Sequence, residues 1–380
     1  MTAELATADT GAPPVGAGSP AILRAREHFE GLGRVREVAD CDAALGAVRQ
    51  SVGQHPAAEE AYRAARAGYS ALGLADRVAD CDRDLGFVCA ATERYAEARD
   101  LLTAARRQFE RSGRAGDVAR CDQHLGAIAY RTGRLPDAEA SLIGARSVFA
   151  ELGEPAAVAS CDRHLGAIAY LTGHHQAAVA AFASARALYV ALDRPADVGR
   201  CDRDLGNALV RAGRLAEAEA AYESGKAGLA RIGLPAQSAE CVHGLGVVFW
   251  ATGRPTGAAQ ELSAARKAFV ARGWPDKAAG CAHDLGLLYA DTSRPQQAEQ
   301  AFTAARDVFA GRGDRDAVAR CEDALTVLRA RGTGDAAADA PAATDAPLPV
   351  LRPFLSEIPS PVAPEDGLAG DVPDVTDVPE

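Results

Sequence analysis

Residues 121–126 read C-D-Q-H-L-G, residues 161–166 read C-D-R-H-L-G, and residues 201–206 read C-D-R-D-L-G. The same frame recurs without insertion along most of the chain. Cys41, Cys81, Cys121, Cys161, Cys201, Cys241, Cys281 and Cys321 stand forty residues apart, each followed four residues later by a leucine. Glycine follows that leucine in seven of the eight copies. A fixed period of this length is the mark of one structural unit stacked repeatedly, so chain length does not set the number of domains here.

Within one period, the stretch around C-D-x-x-L-G has helical spacing over about 17 residues and ends at Gly133, Gly173, Gly213 or Gly253, which suit a left-handed position after a helix. A second helix follows. It carries Ala58, Ala98, Ala138, Ala178, Ala218, Ala258 and Ala298, and four residues further on the bulkier Tyr62, Leu102, Leu142, Phe182, Tyr222, Leu262 and Phe302. Three more residues bring Ala65, Ala105, Ala145, Ala185, Gly225, Ala265 and Ala305 to the same face. Small residues a helical heptad apart let helices approach closely while the bulky one between fills the gap. Gly33, Gly73, Gly113, Gly153, Gly233, Gly273 and Gly313, with Asp193 substituting once, close the second helix. Connections this short make antiparallel helix pairs. The expected fold is all-α: residues 21–33 as the second helix of an incomplete leading repeat, seven full pairs, and a lone final helix over 314–331, with Thr326 in place of glycine.

Composition agrees. Hydrophobic residues make up 48% and aromatic residues 5%, which favours tight helices over sheets rich in β-branched side chains. The net charge of −11 is concentrated at the ends, since residues 334–380 hold ten acids against Arg352 and residues 1–20 hold Glu4 and Asp9. The repeats between are neutral, which gives no footprint for nucleic acid. No run of eighteen apolar residues and no basic, apolar leader occurs, so a soluble cytoplasmic protein without membrane contact is expected. The domain reading is a disordered tail over 1–20, repeats over 21–331, and a disordered, acidic, Pro-rich tail over 332–380. Inside the second tail, Leu348, Leu351, Phe354, Leu355 and Ile358 suit either a docking segment or an unstructured linker.

No phosphate loop, nucleophile elbow or paired C-x-x-C is present, and no cofactor or catalytic residue is assigned. The Cys121/His124 and Cys161/His164 pairs allow a metal reading, but helices packed about 8–10 Å apart set equivalent positions awkwardly for zinc, and the cysteines share a face with the core leucines. Core packing is the expected role, and no metal site is assigned. The aspartates after the cysteines face a basic column, Arg26, Arg66, Arg106, Arg146, Arg186, Lys226, Arg266 and Arg306, sixteen residues earlier. Folding about the turn brings the two columns level, so an interhelical ion-pair ladder is expected, broken at Val242 and Ala282 and restored by Glu322 opposite Arg306. The alternative is a column of solvated charges.

Taken together, the L-G of the first helix and the spaced alanine and aromatic residues of the second resemble the tetratricopeptide repeat family, in its forty-residue-period form, over about residues 21–331. The period exceeds the usual 34, and Asp42, Asp82, Asp122, Asp162 and Asp202 stand where the family has tryptophan. The resemblance implies a right-handed α-solenoid, a role in holding a protein or peptide, and first helices lining a concave groove. Carried onto this chain, that groove would be lined by Arg83, Arg120, Gln123, His124, Tyr130, Arg131, Arg163, His164, Tyr170, Arg200, Arg203, Asn207 and Arg211, with His243, Trp250 and His283 further on. Arg203 and Asn207 fit the first part of the family's carboxylate clamp; Gly244, Gly280 and Asp284 do not fit the rest. Such a lining suits an acidic partner with apolar anchors, and the chain's own C-terminal tail fits that description as a competitor. A regulatory sensor that binds a signalling peptide or small ligand and switches a partner is the second reading.

Packed thiols are shielded from solvent. A thiol reagent added to the native chain is expected to leave most of the recurring cysteines unlabelled, and denaturant is expected to expose them all. Rapid native labelling of the majority would contradict core packing.

Overall fold

The computed structural model describes residues 19–332, and the tails read from the sequence lie outside that range apart from their inner few residues. Among the described residues there are sixteen helices and no strand. They are α1 (Ser19–Gly31), α2 (Val35–Ser51), α3 (His55–Ala71), α4 (Ala75–Ala91), α5 (Tyr95–Ser112), α6 (Ala115–Arg131), α7 (Leu135–Leu152) and α8 (Pro155–Leu171). The second half holds α9 (His175–Ala191), α10 (Pro195–Arg211), α11 (Leu215–Arg231), α12 (Pro235–Ala251), α13 (Pro255–Arg272), α14 (Pro275–Asp291), α15 (Pro295–Arg312) and α16 (Arg315–Gly332). This is the expected all-α series of helix pairs, with a lone leading and a lone closing helix. None of these helices is long and apolar enough to cross a membrane.

The helices form two compact units, one ending at Ala157 and the other beginning at Val158. Within each unit helices adjacent in sequence pack together, and even-numbered helices also touch one another directly, as α4 does α6 and α10 does α12.

Steric fit explains the repeating glycine. A Cβ at Gly46, Gly86, Gly126, Gly166, Gly206, Gly246 or Gly286 would come within 2.5–2.8 Å of Tyr62, Leu102, Leu142, Phe182, Tyr222, Leu262 or Phe302 respectively, the bulky residue sixteen positions later. The bulky side chain occupies the volume that the missing methyl vacates. The alanines four residues before it are fully buried, Ala58, Ala98, Ala138, Ala178, Ala218, Ala258 and Ala298 all being 0% exposed. Cys81, Cys121, Cys161, Cys201, Cys241, Cys281 and Cys321 are buried, and only Cys41, near the start of the array, is partly open. Burial pushes the thiols of Cys81, Cys121, Cys201 and Cys241 up to about 12, far from a reactive thiolate at neutral pH.

The turns obey a period of twenty. Gly33, Gly53, Gly73, Gly113, Gly133, Gly153, Gly173, Gly213, Gly233, Gly253, Gly273 and Gly313 all have positive φ, and Glu93, Asp193 and Ser293 fill the remaining turns at φ 61, 51 and 58. In five turns the next residue is an arginine whose N–H bonds back to the carbonyl of an aromatic residue. Arg34 bonds Phe29 at 2.9 Å, Arg114 bonds Phe109 at 2.9 Å, Arg194 bonds Tyr189 at 3.0 Å, and Arg254 and Arg294 bond Phe249 and Tyr289 at 2.8 Å. Each guanidinium lies over that same ring, as close as 4.2 Å to the centroid for Arg254. One residue therefore caps the helix end through its backbone and covers it through its side chain.

Four rungs of the ion-pair ladder are present. Arg26 meets Asp42 at 2.6 Å, Arg66 meets Asp82 at 2.5 Å, Arg106 meets Asp122 at 2.6 Å, and Arg186 meets Asp202. Ser224 adds a 2.7 Å bond to Asp202. The ladder breaks at Val242 as expected, and the last rung differs from expectation. Lys226, opposite Val242, turns to Glu261 on the next odd helix at 3.0 Å, and Arg306 pairs with its own neighbour Asp307 at 2.7 Å instead of with Glu322.

Left-handed backbone costs a residue with a Cβ roughly 1 kcal/mol. Glu93→Gly and Ser293→Gly are each expected to stabilise the array by about 0.5–1 kcal/mol in chemical denaturation, and Gly113→Ala to destabilise it by about 1 kcal/mol. Unchanged midpoints for all three would mean that the turns do not limit stability.

Candidate functional site

The residues projected onto a groove sit on α4, α6, α8, α10, α12 and α14, the even helices. In the first unit, Arg83 bonds Asp84 at 2.9 Å on its own helix and Asp117 of α6 at 2.8 Å. Arg114 closes the set, reaching Asp80 at 2.9 Å and Asp117 at 2.8 Å. Burial pushes the carboxyl of Asp84 up, opposed by the adjacent Arg83 guanidinium. Arg120 meets Glu154 at 3.0 Å and lies 5.7 Å from the Phe149 ring centroid. Gln123, His124 and Tyr130 are buried, His124 edge-on to Phe87 with centroids 5.5 Å apart. Arg131 donates to the Tyr95 hydroxyl from Nε at 3.2 Å and from a terminal nitrogen at 3.1 Å.

In the second unit the burial is deeper. Arg163, His164, Arg203, Asn207, Tyr170 and Trp250 are all below 9% exposed, and Asp204 is fully enclosed. His164 Nδ1 donates to the Ser160 carbonyl at 2.8 Å. Arg203 grips Asp204 at 2.9 Å and reaches Glu240 of α12, which in turn holds Lys277 of α14. Arg200 pairs with Asp197, which also takes Arg194 at 2.7 Å. Burial raises the Tyr170 hydroxyl to about 12; Arg211, close enough to act on it, works in the opposite direction. Trp250 Nε1 donates to Asp291 at 3.0 Å. His243 Nε2 donates to Asp284 at 2.6 Å, and His283 lies 3.7 Å from the other carboxylate oxygen. Burial works to raise Asp284, but hydrogen bonds from His243 and His283 outweigh it and hold the carboxyl below its ordinary value.

The structure therefore brings the projected residues onto the expected helices, yet corrects their electrostatic character. Arg83 and Arg120 in the first unit, and Arg200 and Arg203 in the second, each face a carboxylate, so in neither unit do they make a bare basic surface. The carboxylates responsible, Asp80, Asp84, Asp117, Glu154, Asp197, Asp204 and Glu240, were not singled out from the sequence. Their signal was the spacing: Arg83–Asp117, Arg114–Asp80 and Arg120–Glu154 lie 34 residues apart, and Arg203–Glu240 and Lys277–Glu240 lie 37 apart, a little under the forty-residue step between neighbouring repeats. The tail put forward as a competitor for this groove lies outside the described residues.

One side chain is held differently. Tyr222 of α11 packs where a Cβ on Gly206 or Gly244 would stand, at 2.5 and 2.4 Å, and its hydroxyl donates to Asn207 Oδ1 at 2.6 Å. The carbonyl end of that amide is thereby fixed, and its NH2 end is left to donate elsewhere. Arg203, Asn207 and Arg211 fall at i, i+4 and i+8 on one face of α10.

No protein-family model matches the chain, and no curated protein matches its sequence. Solved structures do match. Aspartyl phosphate phosphatase F from Bacillus subtilis superposes with a TM-score of 0.57 at 11% identity, over 74% of this chain and 73% of that one. The quorum sensor NprR from B. thuringiensis gives 0.54 at 10% identity, over 83% of this chain and 98% of that one. A Rap conjugation gene regulator of plasmid pLS20, solved in complex with the Phr* peptide, gives 0.52 at 17% identity, over 80% of each chain. At these identities the likeness shows the fold, a tetratricopeptide-like α-solenoid of helix pairs.

Replacing His243 by alanine leaves Asp284 buried with a weakened set of donors and is expected to cost on the order of 2 kcal/mol. Because the native carboxyl titrates below its unfolded value, this contribution is complete above the usual carboxylate range, near 4, and fades as pH falls through the depressed native value. Denaturation of both forms between about pH 3 and 7 checks it: the wild-type advantage should persist at neutral pH and shrink only in acid.

Proposed function

We propose that the chain is a non-enzymatic binding protein that holds an extended or helical peptide segment of a partner protein against the even-numbered helices α10, α12 and α14 of its second unit. The observation that carries this reading is the Tyr222–Asn207 pair. A buried hydroxyl needs a partner wherever it stands, and what counts is where that partner lies. Phenylalanine fills the same packing position at 182 and 302, and Tyr62 sends its hydroxyl to Gln50 near the end of α2, whereas the Tyr222 hydroxyl ends inside the arginine row of α10. Here the hydroxyl orients an amide between Arg203 and Arg211, so its NH2 is preset to donate to a peptide carbonyl. Preorganised donors reduce the ordering cost of binding.

The matched charges shape the partner. Within the second unit Arg163, Arg200, Arg203 and Arg211, with His164, Tyr170 and Trp250, offer a floor of fixed polar and aromatic edges; Arg83, Arg120 and Arg131, with His124 and Tyr130, offer a like set within the first. Its partner would bury apolar anchors against those rings and satisfy its backbone on the polar rows, with a lesser demand for acidic residues than an unpaired arginine groove would impose. Within this proposal the chain is a forty-residue-period member of the tetratricopeptide family.

A sensor role is the second reading, supported by likeness to a quorum sensor and to a regulator solved with a peptide. In that case the bound peptide would switch a further partner.

Peptides selected from a random library on the full chain provide the test. Asn207→Ala and Tyr222→Phe are both expected to weaken the selected peptides about tenfold, the second without removing the ring from the core. Helicity and melting should stay near wild type for Tyr222→Phe. If selected peptides bind both variants as tightly as the wild type, the groove reading fails.

A further inference from the structure

The ladder of arginines and carboxylates leaves one helix out of balance. On α13 the acid that would face Arg266 is missing, because Ala282 occupies the register position held elsewhere by Asp42, Asp82, Asp122 and Asp202. The helix has a single acid, Glu261, and that carboxylate is taken by Lys226 of α11 at 3.0 Å. Arg266, Lys267 and Arg272 are exposed, and among the described residues none of them has a carboxylate within ion-pair distance. Beside them Val270 is 62% exposed, the most exposed of the large hydrophobics. On α10 and α14 of the same unit Arg200, Arg203 and Lys277 are each matched by a carboxylate, so this exposed face of α13 is where an acidic segment meets unspent positive charge.

We propose that the acidic segment following α16, residues 333–380, docks on the exposed face of α13 through Arg266, Lys267 and Arg272, with one of its apolar side chains against Val270. Charge selects this occupant. The segment holds ten acids and only Arg352, whereas residues 19–332 hold forty acids and forty bases. Reach permits it. The tether leaves from the end of α16, and α13 lies one helix pair back, a few tens of Å at packing distances of about 10 Å between helices. A flexible chain of this length spans roughly 40 Å root-mean-square. Tethering keeps the local concentration of the segment at order millimolar, enough for weak contacts to hold. The even-numbered helices are left to a peptide partner, and the inference stands whether or not that partner is found.

The three lysines of the chain make a direct test. Lys226 and Lys277 are ion-paired to Glu261 and Glu240, so carbodiimide coupling of the full-length protein should join those pairs and serve as internal controls. Lys267, without a partner, should couple instead to aspartate or glutamate of residues 333–380 of its own chain. Two changes should reduce that product about fivefold or more while the control products persist: raising salt to about 0.5 M, and Ala282→Asp, which returns the ladder carboxylate to Arg266 without removing a cation. Arg272→Glu should act in the same direction. Controls that form without any Lys267 product on the tail would overturn the proposal. So would a tail product indifferent to salt and to both substitutions, which would report the tether alone. A Lys267 product linking isotopically distinct copies would overturn it too, assigning the face to a second chain.

Discussion

Everything in this fold depends on a steric exchange repeated seven times: a glycine on the first helix of each pair gives up its Cβ, and the bulky residue sixteen positions later takes the space. The distances leave no slack, since at each glycine a methyl would sit inside van der Waals contact with a ring or a branched leucine. Two helices held this closely can be joined only by a turn of three residues, and such a turn needs a left-handed backbone. Contact and turn therefore impose each other, and the forty-residue period is the length of chain that satisfies both twice.

The same contact reaches into the candidate site at one place. Tyr222 fills the space above Gly206 and Gly244 and so touches α10 and α12 at once, and its hydroxyl then sets the amide of Asn207. At Phe182 and Phe302 the packing is alike but no hydroxyl exists to transmit it. Shape comes from the repeating part of the sequence, and where the ring carries a hydroxyl, at Tyr222 toward Asn207 and at Tyr62 toward Gln50, it adds orientation on the facing helix.

Much of this was legible in the residues. Cysteine, leucine, glycine and alanine recur because close packing admits few alternatives, so their spacing discloses helix pairs, turns and a buried thiol column. Glu93 and Ser293 were not recognised as turn residues, because a left-handed site is recognisable by its glycine and these two bear the strain instead. The candidate site was harder to read. Its helices follow from the pattern, but the charge on Arg83, Arg120 and Arg203 depends on acids in the adjacent repeat, and long side chains can satisfy themselves along a helix, across a pair or between pairs. Lys226 shows how little separates these choices: with Val242 in the ladder position, it swings to the next odd helix.

Thr326 stands in α16 at the position where seven even helices carry glycine. Any further helix that approached α16 as α3 approaches α2, from this polypeptide or from another molecule, would drive its bulky residue onto a branched side chain where every other pair offers a vacancy. α1, an odd helix with no even one before it among the described residues, is the natural candidate for such an approach by a second copy. At α16 the threonine thus fills the space that glycine leaves open in the other even helices.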